Sequence, residues 1–158
     1  MSRSPITPQG FTAIVADLKY HKEVLRMRIV RDIEEARAHG DISENSEYED
    51  AKERQSLCEG RIADLEYRVS TAQVIDVTLL TPSERVVFGT TVEIRNTNTD
   101  DVRKYQIVGE TEADVERGKI SFKSPLGAAL VGRSVGDEVS VPAPAGRQTW
   151  EVVEVHYV

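Results

Sequence analysis

The sequence predicts an α+β protein: an N-terminal antiparallel α-helical coiled-coil hairpin, followed by a small antiparallel β-sheet domain with one short helix. Two observations lead to this fold class. Apolar residues recur with helical spacing up to about residue 76, whereas short β-branched runs separated by glycines follow it. The predicted domains are therefore residues 1–77 and residues 78–158.

The second helical segment has the clearest periodicity in the chain. Residues recur there at alternating steps of 3 and 4, the a/d spacing of a coiled-coil seam, with polar and small residues early in the seam and larger aliphatic residues later. The seam consists of Tyr48, Ala51, Gln55, Cys58, Ile62, Leu65, Val69 and Ala72. Because the larger aliphatic residues stand in its later part, we expect firm packing near residue 70 and looser packing near residue 50.

The first helical segment has a matching stripe, interrupted only around His21 and Lys22. The stripe consists of Phe11, Ile14, Leu18, Leu25, Ile29, Ile33 and Ala36. Thr7 or Pro8 is the expected start, since proline is tolerated in a first helical turn. Two helices with complementary stripes and a short polar turn between them predict an antiparallel hairpin.

The turn between the helices is predicted at about residues 40–47. Gly40 suits the end of the first helix, and Ser46–Glu49 has the form of a capping box for the second. With about 30 residues per arm and roughly 1.5 Å per residue, the hairpin would be on the order of 45 Å long. A hairpin of this length exceeds what its own stability requires, which indicates that its tip acts at a distance from the rest of the protein.

The second half of the chain reads as a series of short strands. The predicted strands are 73–77, 86–88, 91–95, 104–108, 120–122, 138–141 and 149–155. A short helix is expected after Pro125. These elements predict a twisted antiparallel sheet with a helix on one face.

Composition excludes several classes of protein. The net charge is -7, whereas a protein that binds free nucleic acid by neutralising phosphates is normally basic. The charge therefore argues against an autonomous DNA- or RNA-binding protein. We expect no membrane segment and no secretory signal, because neither a long apolar run nor an apolar N-terminal region is present. Cys58 is the only cysteine, which fits a reducing cytoplasm.

The predicted tip is strongly acidic. Residues 41–53 contain six acids, Asp41, Glu44, Glu47, Glu49, Asp50 and Glu53, and one base, Lys52. Acids at the start of a helix are favoured by capping and by the helix dipole, so a solvated helix start explains the pattern without any function. Alternatively, tip carboxylates could complete a Mg²⁺ site that another molecule has begun. Composition leaves both interpretations open.

The tip sequence, residues 40–48, resembles the tip signature of the bacterial GreA/GreB family of transcript-cleavage factors. The likeness extends over essentially the whole chain, and it is carried by residues 34–40, 58–62, 72–76, 87–92, 105–109 and 124–127. The GreA branch is closer than the GreB branch, because the basic patch on the hairpin shaft is small.

The resemblance implies a transcription elongation factor that acts through RNA polymerase. The hairpin would insert its tip into the secondary channel and stimulate the polymerase's own Mg²⁺-dependent cleavage of backtracked RNA, rescuing arrested complexes. The factor would then not be an enzyme by itself. The C-terminal domain would be FKBP-like and dock at the channel rim. A monomer in the cytoplasm is expected, in contact with RNA and DNA only within the elongation complex.

The same resemblance implies roles for particular residues. Asp41 and Glu44 would be the catalytic tip acids that help hold a second Mg²⁺, which is shared with the polymerase and not stably bound to the free protein. Arg37 and Lys52 would contact the extruded RNA 3′ end. Lys52 stands where arginine is possible in the family, and Ser46 stands where alanine is common.

Two further residues would support the tip. Asn45 either orients a tip carboxylate or caps the second helix. Tyr48 follows the seam, which favours packing beneath the tip over chemistry. Cys58 also lies at a seam position, which favours a small core residue over a reactive thiol.

Three other functions compete with this interpretation. A channel-binding regulator that plugs polymerase without stimulating cleavage is disfavoured by the intact pair Asp41 and Glu44. A prolyl isomerase would need an aromatic-lined pocket, and the few aromatic residues after residue 81 can be accommodated in the core. A stand-alone metal nuclease is disfavoured because the tip has no convergent wall of ligands.

Overall fold

The computed structural model describes residues 2–40 and 45–158, which fall into two compact units. The first unit contains Phe11–Ala72, and the second contains Arg3–Gly10 and Gln73–Val158. This division differs from the predicted boundary after residue 77 in two respects. The chain changes unit after Ala72, and a segment close to the N-terminus packs with the C-terminal unit.

The first arm of the hairpin is a helix with a π-helical turn in its middle. Helix α1 spans Pro8–Tyr20, the π turn spans His21–Leu25, and helix α2 spans Arg26–Ala38. The backbone N–H of Arg26 donates to the carbonyl oxygen of His21, the longer bond that defines a π turn. The turn therefore lies where the apolar stripe of the sequence is interrupted.

The second arm is helix α3, which spans the 26 residues Ser46–Thr71. Asn45 caps it, one residue before the Ser46 cap that the sequence predicted. Ion pairs along the shaft join the arms, among them Arg26 with Glu59 at 2.8 Å, Asp32 with Arg54 at 3.0 Å, and Asp17 with Arg61 at 3.0 Å. Residues earlier in one arm meet residues later in the other, so the arms are antiparallel and the predicted hairpin is confirmed.

The facing stripes of the hairpin form its core. Ile29, Cys58 and Ile62 are buried together, and Leu18, Leu25 and Ile33 pack against them. Ala51 and Leu65, also in the predicted seam, are fully buried. Burying a side chain of leucine or isoleucine size stabilises a fold by about 1.5–3 kcal/mol.

Within residues 2–40 and 45–158, no helix is long and apolar enough to cross a membrane.

The second unit is built on a five-stranded sheet. Its strands are β3 Thr91–Asn96, β4 Val102–Val108, β5 Lys119–Ser121, β6 Glu138–Ala143 and β7 Gly146–His156. They lie side by side in the order β5-β4-β3-β7-β6. All neighbouring pairs are antiparallel except β4 and β5, which run parallel. The sheet is therefore mixed and not wholly antiparallel as the sequence predicted.

A short helix and the alternating strand residues complete this unit. Helix α4 spans Pro125–Leu130, and its cap Ser124 accepts from the backbone N–H of Gly127 at 3.1 Å. The helix after Pro125 is thus confirmed. The core of this unit consists of buried side chains from the strands, from α4 and from the loop before β3: Val86, Val92, Ile94, Ile107, Ile120, Leu130, Val139, Val141, Trp150 and Val152.

Two predicted strands differ in the structure. Ala72–Val74 forms strand β2, which pairs with the unpredicted strand β1, Ser4–Ile6; a 3₁₀ turn then begins at Val77. Residues 86–88 do not form a strand. The backbone N–H of Val86 instead donates to the carbonyl oxygen of Arg133 at 2.7 Å, because this segment is bonded to the loop after α4.

Candidate functional site

The candidate site is the end of the hairpin, where α2 finishes and α3 begins. After Ala38 the backbone N–H of His39 still donates to Ala36 at 3.2 Å, and Gly40 then adopts a positive φ of 112°. This conformation suits glycine and ends the helix as the sequence predicted. Asp41 and Glu44 lie outside the described residues, so their roles stay predictions.

Asn45 joins the two helix ends that flank the predicted tip acids. Its side-chain amide nitrogen donates to the carbonyl oxygen of Ala36 at 2.6 Å. Its side-chain oxygen accepts from the backbone N–H of Tyr48 at 3.1 Å, which caps α3. One partner is an acceptor and the other a donor, so the two contacts together define the orientation of the amide. Asn45 therefore caps α3, one of the two roles that the sequence left open for it. It also bonds to α2, a contact that the sequence did not predict.

A second contact crosses between the same helix ends. Nδ1 of His39 lies 3.4 Å from a carboxylate oxygen of Glu47, and both side chains are largely exposed. Tyr48, in the first turn of α3, is half-buried. A contact between two side chains this exposed contributes little to stability, so Asn45 is the stronger link between the helix ends.

An open cleft of about 300 Å³ lies beside the helix ends and is acidic. It is lined by Asp32, Glu35, Ala36, His39, Glu47, Asp50 and Arg54. Arg54 is already paired with Asp32 at 3.0 Å. The remaining carboxylates give this part of the hairpin a negative potential, which favours cations and repels phosphates.

The two predicted RNA-contacting residues lie on different helices, and both are exposed. Arg37 is in the last turn of α2, where a positive charge also complements the helix dipole. Lys52 is in α3, and its ammonium group donates to the side-chain oxygen of Gln55 at 3.0 Å. Either cation is accessible to a phosphate, and their role stays a prediction.

Cys58 belongs to the hairpin core and not to the site. The residue is 4% exposed, and its thiol lies 3.8 Å from the carbonyl oxygen of His21 in the π turn. Burial raises the pKa of the Cys58 thiol, so the thiol stays protonated at neutral pH. The prediction that Cys58 is a small core residue is confirmed.

Two family profiles match the chain, and together they cover most of it. The profile described as "Transcription elongation factor, N-terminal" matches residues 4–74. The profile described as "Transcription elongation factor, GreA/GreB, C-term" matches residues 81–157.

Individual relatives agree with the profiles. The chain is 50% identical over 157 residues to transcription elongation factor GreA of Psychrobacter sp. (strain PRwf-1), and 51% identical over 157 residues to that of Hyphomonas neptunium, with 99% of each chain covered in both cases. A crystal structure of GreA factor homolog 1 from Thermus thermophilus is 28% identical, with a TM-score of 0.43 and coverage of 98% of this chain and 99% of that chain. From the profiles and the sequence relatives, the chain belongs to the GreA/GreB family of transcription elongation factors.

Proposed function

We propose that this elongation factor inserts its hairpin tip into the secondary channel of RNA polymerase and stimulates cleavage of backtracked RNA. The observation that carries the proposal is the double contact of Asn45 with Ala36 and Tyr48. It joins the helix ends on both sides of an acidic segment at the end of a hairpin with a buried core. Helix ends joined in this way suit the delivery of carboxylates to a distant site.

Asp41 and Glu44 are the acids proposed to act there. Two carboxylates are a donor set that fits Mg²⁺, which prefers one or two carboxylates together with water and phosphate oxygens. When bound, the shared ion would stabilise charge on the attacking and leaving oxygens of a phosphodiester. The part of this chain is to present hard oxygen ligands; the reaction itself belongs to the polymerase. The factor is therefore proposed to be no enzyme by itself.

Arg37 and Lys52 are proposed to contact phosphates of the extruded RNA 3′ end. Arginine can bind a phosphate through two parallel N–H donors, whereas lysine acts as a point charge. The net charge of -7 fits contact with RNA and DNA only inside the elongation complex, because the chain as a whole would repel free nucleic acid. The C-terminal unit is proposed to be the FKBP-like part that docks at the channel rim, and the factor to act as a cytoplasmic monomer.

An arrested elongation complex with labelled RNA tests the proposal. Addition of the protein should shorten the RNA, and neither the protein alone nor the same RNA free of polymerase should show cleavage. Unchanged RNA in a complex that binds the protein would contradict the proposal and favour a regulator that only plugs the channel.

A further inference from the structure

A cluster of hydrogen bonds around Glu112 holds the start of the first helix. Glu112 lies in a 3₁₀ turn, Glu110–Glu112, that follows β4, and it is half-buried among exposed neighbours. One carboxylate oxygen accepts from the backbone N–H of Thr7 at 3.1 Å and from that of Gly109 at 2.9 Å. The other accepts from the hydroxyl of Thr7. These residues all belong to the second unit.

Thr7 connects Glu112 to the first turn of α1 through a second hydrogen bond. Its hydroxyl oxygen accepts from the backbone N–H of Gly10 at 3.1 Å, and the residue itself is only 4% exposed. The first turn of α1 contains no acid of its own. A negative charge is favoured at a helix N-terminus, and here Glu112 supplies it from 105 residues further along the chain.

Two glycines leave the room that this arrangement requires. A Cβ atom at Gly10 would overlap the Glu112 carboxylate, at a distance that real Cβ atoms do not adopt. A Cβ atom at Gly109 would lie 2.6 Å from the backbone oxygen of Pro5. The N-terminal segment is thus fitted closely against the turn that carries Glu112, and strand β1 secures the same segment through its pairing with β2.

We infer that Glu112 is a positioning residue: it holds the first turn of α1, the helix that continues into the hairpin, and efficient cleavage in the polymerase complex depends on this anchor. This role rests on the proposed function. The hydrogen bonds of Glu112 described above are all made within the second unit. Its loss should therefore lower the efficiency of the bound factor more than its binding.

Full-length variants test the inference through two measurements. Glu112→Ala removes the acceptor, and Gly10→Ala keeps it but displaces it, although alanine normally favours a helix over glycine. Glu112→Gln keeps the length and one acceptor oxygen and should fall between wild type and Glu112→Ala. Glu116→Ala, at an exposed acid of the same segment, is the matched control.

The first measurement is amide hydrogen exchange at Thr7, Gly10 and Gly109. Exchange at these amides should accelerate in Glu112→Ala and Gly10→Ala, while the amides of the sheet core stay protected. The second is RNA cleavage in arrested complexes over a range of factor concentrations. The maximal rate should fall by roughly tenfold or more, since a small misplacement far from the chemistry has effects of that size. The half-saturating concentration should change by less than about twofold.

Faster exchange together with a lower maximal rate in both variants, and neither in Glu116→Ala, would support the inference. Unchanged exchange, unchanged maximal cleavage, or a loss confined to the half-saturating concentration would overturn it. A wild-type protein that stimulates no cleavage would overturn the proposed function and this role with it. That result differs clearly from a working wild type whose variants keep full activity.

Discussion

The side-chain amide of Asn45 donates to the carbonyl oxygen of Ala36 at 2.6 Å and so connects the last turn of one arm to the cap of the other. The carbonyl oxygens at the end of a helix lack partners within the helix. With a single side chain, Asn45 therefore gives the Ala36 carbonyl oxygen a second donor, beside the backbone N–H of His39, and satisfies one orphan donor of α3.

The first prediction concerns this double contact. Asn45→Ala should lower the free energy of unfolding of the hairpin by about 1–2 kcal/mol, since it removes a helix cap. Asn45→Asp keeps the cap acceptor but loses the donor to Ala36, so its loss should be smaller. Urea unfolding followed by circular dichroism measures both, with exposed Ser46→Ala as the control. Equal stability of Asn45→Ala and wild type would contradict the role of the bridge.

The second prediction concerns the hairpin core. Leu65 is fully buried, whereas Leu57 on the same helix is 68% exposed. Leu65→Asp should unfold the hairpin, because an unpaired buried charge costs at least several kcal/mol. Leu57→Asp should change stability by no more than about 0.5 kcal/mol. Thermal unfolding followed by circular dichroism compares the two variants; similar melting of both would show that the seam is assigned to the wrong residues.

The third prediction concerns the Cys58 thiol. Burial raises its pKa above the ordinary value of 9.0, so the thiol of the unfolded chain loses its proton first as the pH rises. The contribution of the protonated Cys58 thiol to the free energy of unfolding is thus fully present below that ordinary value. It is lost as the pH rises through the pKa of the thiol in the folded state. The difference in unfolding free energy between wild type and Cys58→Ala should shrink above about pH 9.

Alkylation gives an independent check on the same thiol. Cys58 should react slowly with iodoacetamide in the native protein and rapidly in urea, since only the thiolate attacks and the native thiol is both protonated and buried. A native rate equal to the unfolded rate, or a stability difference that does not depend on pH, would contradict this account of the seam.

Much of the fold follows from local patterns in the sequence. The burial of Ile62 and Leu65 follows from helical spacing, and the start of α4 follows from Ser124 and Pro125. The elements that differ depend on partners far away in the chain. Strand β1 has only three residues and pairs with β2, and β5 joins β4 in parallel across two short 3₁₀ turns. Pairings between such short and distant segments produce no local periodicity in the sequence, so they could not be predicted from it.

The candidate site was predictable to a similar extent. The resemblance pointed to Asp41 and Glu44, and a capping residue was expected at Asn45 or Ser46. The bond from Asn45 to Ala36 was not predictable, because it depends on how two helix ends meet across the turn. The bond between Thr7 and Glu112 joins residues 105 apart, and neither residue type indicates it locally.

The most direct measurement of the central claim is cleavage of backtracked RNA by tip variants across a Mg²⁺ titration. Asp41→Asn and Glu44→Gln keep the shape of each side chain but remove the charge proposed to hold the ion. Glu49→Gln and Glu53→Gln, further along α3, are controls for a general loss of negative charge. We predict that the first pair still folds and binds polymerase but loses stimulation by orders of magnitude, with partial rescue at high Mg²⁺, while the second pair stays close to wild type. Equal, modest losses in all four variants would contradict the specific roles of Asp41 and Glu44.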